Sequence, residues 1–173
     1  MTARVENFIR SNLSPSLPPA NPLLRRDWIG MAFDRNLYEL FAPQAVWEAW
    51  LKRHIDLFPG NASIEVVLER EIARDSEVHS LSPSLDSLRE FWRSNNNFLN
   101  DHYVFSESGA WIVRLDQDVT LFTGEQSFVS HVLIDLGGAE RVLSLMESDF
   151  SPDESDSVGL KGYLNSLLRR TSG

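Results

Sequence analysis

Between residues 103 and 123 the apolar pattern of this chain changes period, and that change limits the fold more than any other feature. The stretch reads "YVFSESGAWIVRLDQDVTLFT". Apolar, β-branched and aromatic residues fill 103–106, 110–115 and 119–123, and turn-forming residues separate them. "SESG" supplies the first turn, with Gly109 free to take positive φ, and "DQD" supplies the second. Trp111, Val113 and Leu115 fall on one face of the middle run, with Ala110, Ile112 and Arg114 on the other. The expectation is a short antiparallel β-meander, half covered by helices.

Helical spacing dominates elsewhere. Residues 3–13 place Val5, Phe8, Ile9 and Leu13 on one face, and the prolines of "SPSLPPANP" (14–22) then remove backbone donors and break regular structure. A helix after Pro43 carries a stripe of Val46, Trp47, Trp50, Leu51, Ile55 and Phe58 and stops at "PGN". Residues 63–72 fit either period, and their length and Glu/Arg content favour a helix. Residues 27–41 are apolar but interrupted by Gly30 and fit neither period cleanly. Ser82-Pro83 opens another helix, with Leu85, Leu88, Phe91 and Trp92 inside and "SNNN" at its end. After the meander come a helix stopped by Gly137-Gly138, a second over 139–150 with Val142, Leu145 and Met146 inward, and an acidic loop at 151–157. A last amphipathic helix holds Leu160, Leu164, Leu167 and Leu168. Trp47, Trp50, Trp92 and Trp111 belong to the core on this reading, and Trp28, beside Met31 and Phe33, is the candidate exposed aromatic anchor. The fold class is α+β: an N-terminal helix and Pro-rich arm (1–22) and a single domain (23–173) in which the meander packs with several amphipathic helices.

A chain of 173 residues with 42% hydrophobic residues can bury a core without staples, and the absence of Cys excludes disulfides and thiolate zinc sites. No apolar run approaches the ~18 residues of a membrane span, and "MTARVENFIRSNL" is too charged for a signal peptide. A cytoplasmic protein without membrane contact is expected. The net charge of −9 is uneven: residues 95–168 hold three basic residues (Arg114, Arg141, Lys161) against twelve acidic ones. Such a field disfavours nucleic acid and speeds encounter with basic proteins.

"LDQDVTLF" spells D-x-D-x-T, and Asp116, Asp118 and Thr120 match the first motif of haloacid-dehalogenase-type phosphatases, with Val119 where Gly is common. That chemistry needs a nucleophilic carboxylate, a second carboxyl to move the proton, and Mg²⁺ held by further acids. The later strands of a doubly wound domain are missing from the 53 residues that follow, and Arg114 breaks what should be a wholly apolar parallel strand. A diphosphate-holding D-x-D lacks a nucleotide-binding half. A polar turn is the reading preferred here. His54, His79, His102 and His131 show no metal-ligand spacing, and "PDESD" lacks the Gly and closing Glu of a calcium loop. No catalytic residue, metal or cofactor is assigned.

The chain resembles, in size, acidity and absence of catalytic motifs, the small immunity proteins with which bacteria neutralise toxins delivered by contact-dependent or type VI systems. The resemblance rests on no signature and covers no aligned stretch. It implies a non-enzymatic inhibitor that binds a basic, nuclease-like toxin domain directly. Charge density points to Asp116, Asp118 and Glu125 near the hairpin tip, and to Asp149, Asp153, Glu154 and Asp156 near the late loop, as the binding residues. The alternatives are a secretion chaperone or adaptor offering the last helix and the Pro-rich arm to an effector segment, and a small Mg-dependent phosphatase-like enzyme using Asp116-Gln117-Asp118. Monomer and dimer are not distinguished by the sequence.

Overall fold

The alternating segment does fold as a meander, and it is the middle of a larger sheet. The computed structural model describes residues 2–16, 20–60, 62–72, 78–150 and 157–168. Strands β1 (Trp28–Asp34), β2 (Ile64–Leu68), β3 (His79–Leu81), β4 (His102–Ser106), β5 (Trp111–Leu115) and β6 (Val119–Glu125) form one antiparallel sheet in the order β1-β6-β5-β4-β2-β3. The helices are α1 (Thr2–Asn12), α2 (Gln44–Leu57), α3 (Glu69–Ile72), α4 (Leu85–Arg93), α5 (Gln126–Asp135), α6 (Ala139–Phe150) and α7 (Ser157–Leu168). This is an α+β domain.

Both faces of the sheet are covered, which explains two segments that the sequence left obscure. On one face Trp111 and Phe122 pack edge-on against Trp50 of α2, with Phe128 of α5 completing the cluster. On the other, Phe8 of α1 meets Phe105, and Ile9 of that helix and Leu13 just after it join the central core. A strand covered on both sides loses its alternation. So β1 is a continuous apolar run, and Trp28, expected to be an exposed anchor, is buried, as are its neighbours Met31 and Phe33. Residues 63–72 are a strand followed by one helical turn. The β-branched pair Val66-Val67 packs on opposite faces of the sheet, and only the charged end Glu69–Ile72 takes the helical option.

Two glycines let the strands close. A Cβ on Gly30 would lie 2.6 Å from the Phe122 carbonyl oxygen, and one on Gly124 would lie 2.8 Å from the Trp111 Cβ. Helix α6 lies along the outer edge of β1. Its inward stripe is Val142, Met146 and Asp149, while Leu145, expected inward, is exposed. The Ala32 N–H donates to Met146 Sδ at 3.1 Å and the Asp34 N–H to Asp149 Oδ2 at 3.2 Å, so the side chains of this helix take outward amides of an edge strand.

Candidate functional site

The register gathers the ends of five strands at one pole of the sheet. Asp34 pairs with Val119, Leu115 with Thr120 and with His102, and His102 with Leu68. The β5–β6 turn therefore sits beside residues 35–37, 69–72 and 98–101. A groove of about 630 Å³ opens between them, lined in part by Arg35, Phe41, Glu69, Phe98, Leu99 and Asp101.

Arg35 organises this pole. Its guanidinium is buried and donates to the carbonyls of Asp116, Phe98 and Asn100, the last at 3.3 Å, and its backbone N–H donates to the Asp118 carbonyl at 3.0 Å. It also lies 4.9 Å over the Phe41 ring and 3.6 Å from the Asp101 carboxylate. Phe41 has φ 64, in the left-handed region that a bulky residue rarely adopts. Thr120 Oγ1 donates to its carbonyl, and Trp92 meets its ring edge-on at 4.9 Å. Among the described residues the other two non-glycine residues with positive φ, Asn95 and Asn96, turn the chain out of α4 just before Phe98 and Leu99.

The "DQD" segment is a hairpin turn. Asp116 Oδ1 accepts the backbone N–H groups of Asp118 at 3.0 Å and Val119 at 2.8 Å, and Asp116 N–H donates to the Val119 carbonyl at 3.1 Å. The strand it follows runs antiparallel to both neighbours. Asp118 is exposed, and Asp116 is half-buried with Oδ2 3.7 Å from Arg114 Nε. Asp101 feels this surround: partial burial pushes its carboxyl above the usual range, Arg35 pulls it back, and Asp116, Glu69 and Asp118 push it up again. Glu69 itself is paired with Arg10 at 2.6 Å.

Among the charged residues that the sequence singled out, Asp116 and Asp118 stand together at this pole. Glu125 does not: it ends the seven-residue β6 at the opposite pole, roughly 20 Å away at ~3.3 Å per residue. Asp149, expected on an acidic face, is buried against β1, because it continues the inward stripe of α6 and accepts from the Tyr38 hydroxyl as well as the Asp34 N–H. Burial raises its pKa, and those two hydrogen bonds pull it back down. Asp153, Glu154 and Asp156 lie outside the described residues. Sequence reasoning passed over Asp101, Arg35 and the exposed pair Phe98-Leu99. The readable signal was an apolar pair inside the polar run "SNNNFLND".

The two buried histidines are internal. His102 Nε2 accepts the Trp92 indole N–H at 2.9 Å, so its Nδ1 carries the proton donated to the Asn100 carbonyl at 2.9 Å. His54 Nδ1 accepts from the Trp111 indole at 3.2 Å and Nε2 faces the Ala62 carbonyl at 3.0 Å. Among the described residues no group of three or more His, Asp or Glu is placed to hold a metal ion, and no helix is long and apolar enough to cross a membrane.

Fold and groove together define an α+β domain built on a six-stranded antiparallel sheet, with a groove of mixed charged, polar and apolar lining at one pole. No known family, curated protein or solved structure matches the chain.

Proposed function

We propose that this protein is a non-enzymatic inhibitor of the immunity type, a bacterial cytoplasmic protein that neutralises a basic, nuclease-like toxin domain by binding it directly. One observation carries the reading: Leu99, 71% exposed, and Phe98, 40% exposed, project at the same pole as the carboxylates of Asp101 and Asp118. Exposed apolar residues beside fixed charges are the composition of a protein-binding surface, with the charges steering encounter and the apolar centre holding the complex. The overall charge of −9 favours a basic partner and disfavours nucleic acid. The adaptor reading needs a free apolar face on the last helix, whereas Leu164 and Leu167 of α7 are buried.

The test is affinity capture from the native host on immobilised protein, washed at low and then high salt. Retention of one basic protein that weakens with salt, and whose activity falls when this chain is added, supports the reading. Retention of many unrelated extended segments supports the adaptor. Hydrolysis of a phosphoester with Mg²⁺, abolished by Asp116→Asn, supports the enzyme.

A further inference from the structure

We infer that His54 is an acid-operated latch: a proton on its Nδ1 ends the hydrogen bond from Trp111, turns the ring into the cavity it lines with Glu107, and releases the chain at Phe58, Ala62 and Ser63 from the sheet. The latch works whatever partner the protein binds.

The geometry allows only one charge state. His54 is buried on α2, and its ring joins that helix to two other parts of the molecule. Nδ1 accepts the indole N–H of Trp111 on β5 at 3.2 Å, so Nε2 carries the proton and donates it to the Ala62 carbonyl at 3.0 Å. Phe58, whose N–H donates to the His54 carbonyl, lies beside the ring with centroids 5.1 Å apart. One ring nitrogen is thus an acceptor and the other a donor, and a second proton has no place. An imidazolium would set N–H against N–H across 3.2 Å, and an indole cannot turn into an acceptor. The ring must move when it is charged.

A cavity of about 430 Å³ opens beside it, lined by His54, Phe58, Ser63, Ser106, Glu107 and Ser108 among others. Hydroxyls and a carboxylate suit an imidazolium, and Glu107 is the one carboxylate among the described residues of that lining. The other elements around the ring offer it no charge. Helix α5 reaches the cluster through Phe128, and Glu125, at the same pole, alternates onto the face of β6 opposite to Phe122 and α2. On α2, Lys52 and Asp56 pair with each other at 3.2 Å, and Arg53 is the sequence neighbour. None of these shifts the titration of the ring, which burial lowers and the backbone of Ala62 and Ser63 holds up.

His102 carries the same bond, from Trp92, but lacks the same exit. Arg35 adds to burial in opposing a cation there. The two locked imidazoles therefore answer acid in order, His54 first, and Trp92 serves as an internal reference.

The experiment follows the full ¹⁵N-labelled chain by NMR from about pH 7 down to about pH 4.5, spanning the range below the ordinary histidine pKa. The expected result is a single-midpoint shift of the Trp111 indole resonance, accompanied by shifts at Ala62 and Ser63. Protection of the Phe58 amide against exchange should fall about tenfold, while the Trp92 indole and the central-strand amides stay unchanged. His54→Gln, whose amide keeps one acceptor and one donor without titrating, should abolish the change. Glu107→Gln should leave about tenfold fewer unlatched molecules at a given pH, and His131→Gln, at an exposed histidine, should have no effect. Movement of the Trp111 and Trp92 resonances together with the core amides would mean unfolding of the whole domain and would overturn the inference. So would a transition that persists in His54→Gln, or a Trp111 resonance that stays fixed throughout. An unchanged midpoint in Glu107→Gln would overturn its role as the receiving group.

Discussion

The indole N–H of Trp92 donates to Nε2 of His102 over 2.9 Å, and this single bond fixes the protonation state of a fully buried ring. An indole can only donate, so the acceptor nitrogen must be bare, and the other ring nitrogen holds its proton against the Asn100 carbonyl. Trp111 repeats the arrangement with His54 on the same face of the sheet. Each pair bridges a helix or helix-borne ring to the sheet, and both imidazoles are neutral in the native state.

The first prediction is a loss of stability in acid. Burial pushes His102 down to about 4, against about 6.5 when unfolded, with the Asn100 carbonyl opposing the shift. Because the folded value is depressed, the neutral ring's contribution is complete above about pH 6.5 and is lost as pH falls toward 4. The amount is on the order of 3 kcal/mol. Urea unfolding at stepped pH should show this slope in the wild type and lose most of it in His102→Gln. Equal slopes in the two proteins contradict the assignment.

Arg35→Met should cost about 2–4 kcal/mol, because it strands the carbonyls of Phe98, Asn100 and Asp116 without their donor. Amide exchange should accelerate at residues 98–101 and 117–119 before it does in the central strands. Uniform acceleration across the sheet would mean that Arg35 acts on global stability alone.

Asp149→Ala should lower stability by about 1–3 kcal/mol, since the Tyr38 hydroxyl and the Asp34 N–H both lose their acceptor. The opened edge of β1 should also raise self-association in concentration-dependent sedimentation. Partner affinity should not change, because the carboxylate is buried. A loss of affinity at wild-type stability would return Asp149 to the binding surface.

Gly30→Ala and Gly124→Ala should each destabilise strongly, by about 2 kcal/mol or more, because the new methyl meets backbone in one case and the Trp111 side chain and backbone in the other. Gly60→Ala, where nothing lies within 4 Å of the added carbon, serves as the control. Thermal melts of the three variants check the order.

These relationships show what the sequence could and could not disclose. The meander was legible because its turns are marked by Gly109 and "DQD" and its middle strand alternates. Strand β1 was not, because coverage on both faces makes it apolar throughout, and Gly30 reads as a break when it is a close approach to Phe122. Strand β2 was masked by the Glu/Arg-rich turn joined to it. Charge density grouped Asp116 and Asp118, which the fold does keep together, with Glu125, whose distance from them depends on strand direction, and it expected at the surface Asp149, whose burial depends on which helical stripe meets the sheet. Arg35 and Asp101 were invisible for the same reason: their roles arise only when strand ends distant in sequence are brought to one pole.

The most direct test of the inhibitor reading is a titration of this protein into the basic toxin domain it captures, with residual toxin activity read at each molar ratio. The expected curve falls linearly to near zero at one equivalent in low salt. The Asp101→Asn/Leu99→Ser double variant should need a large excess to reach the same inhibition. A captured partner that keeps its full activity in the saturated complex would contradict the account and leave a binding protein without inhibitory function.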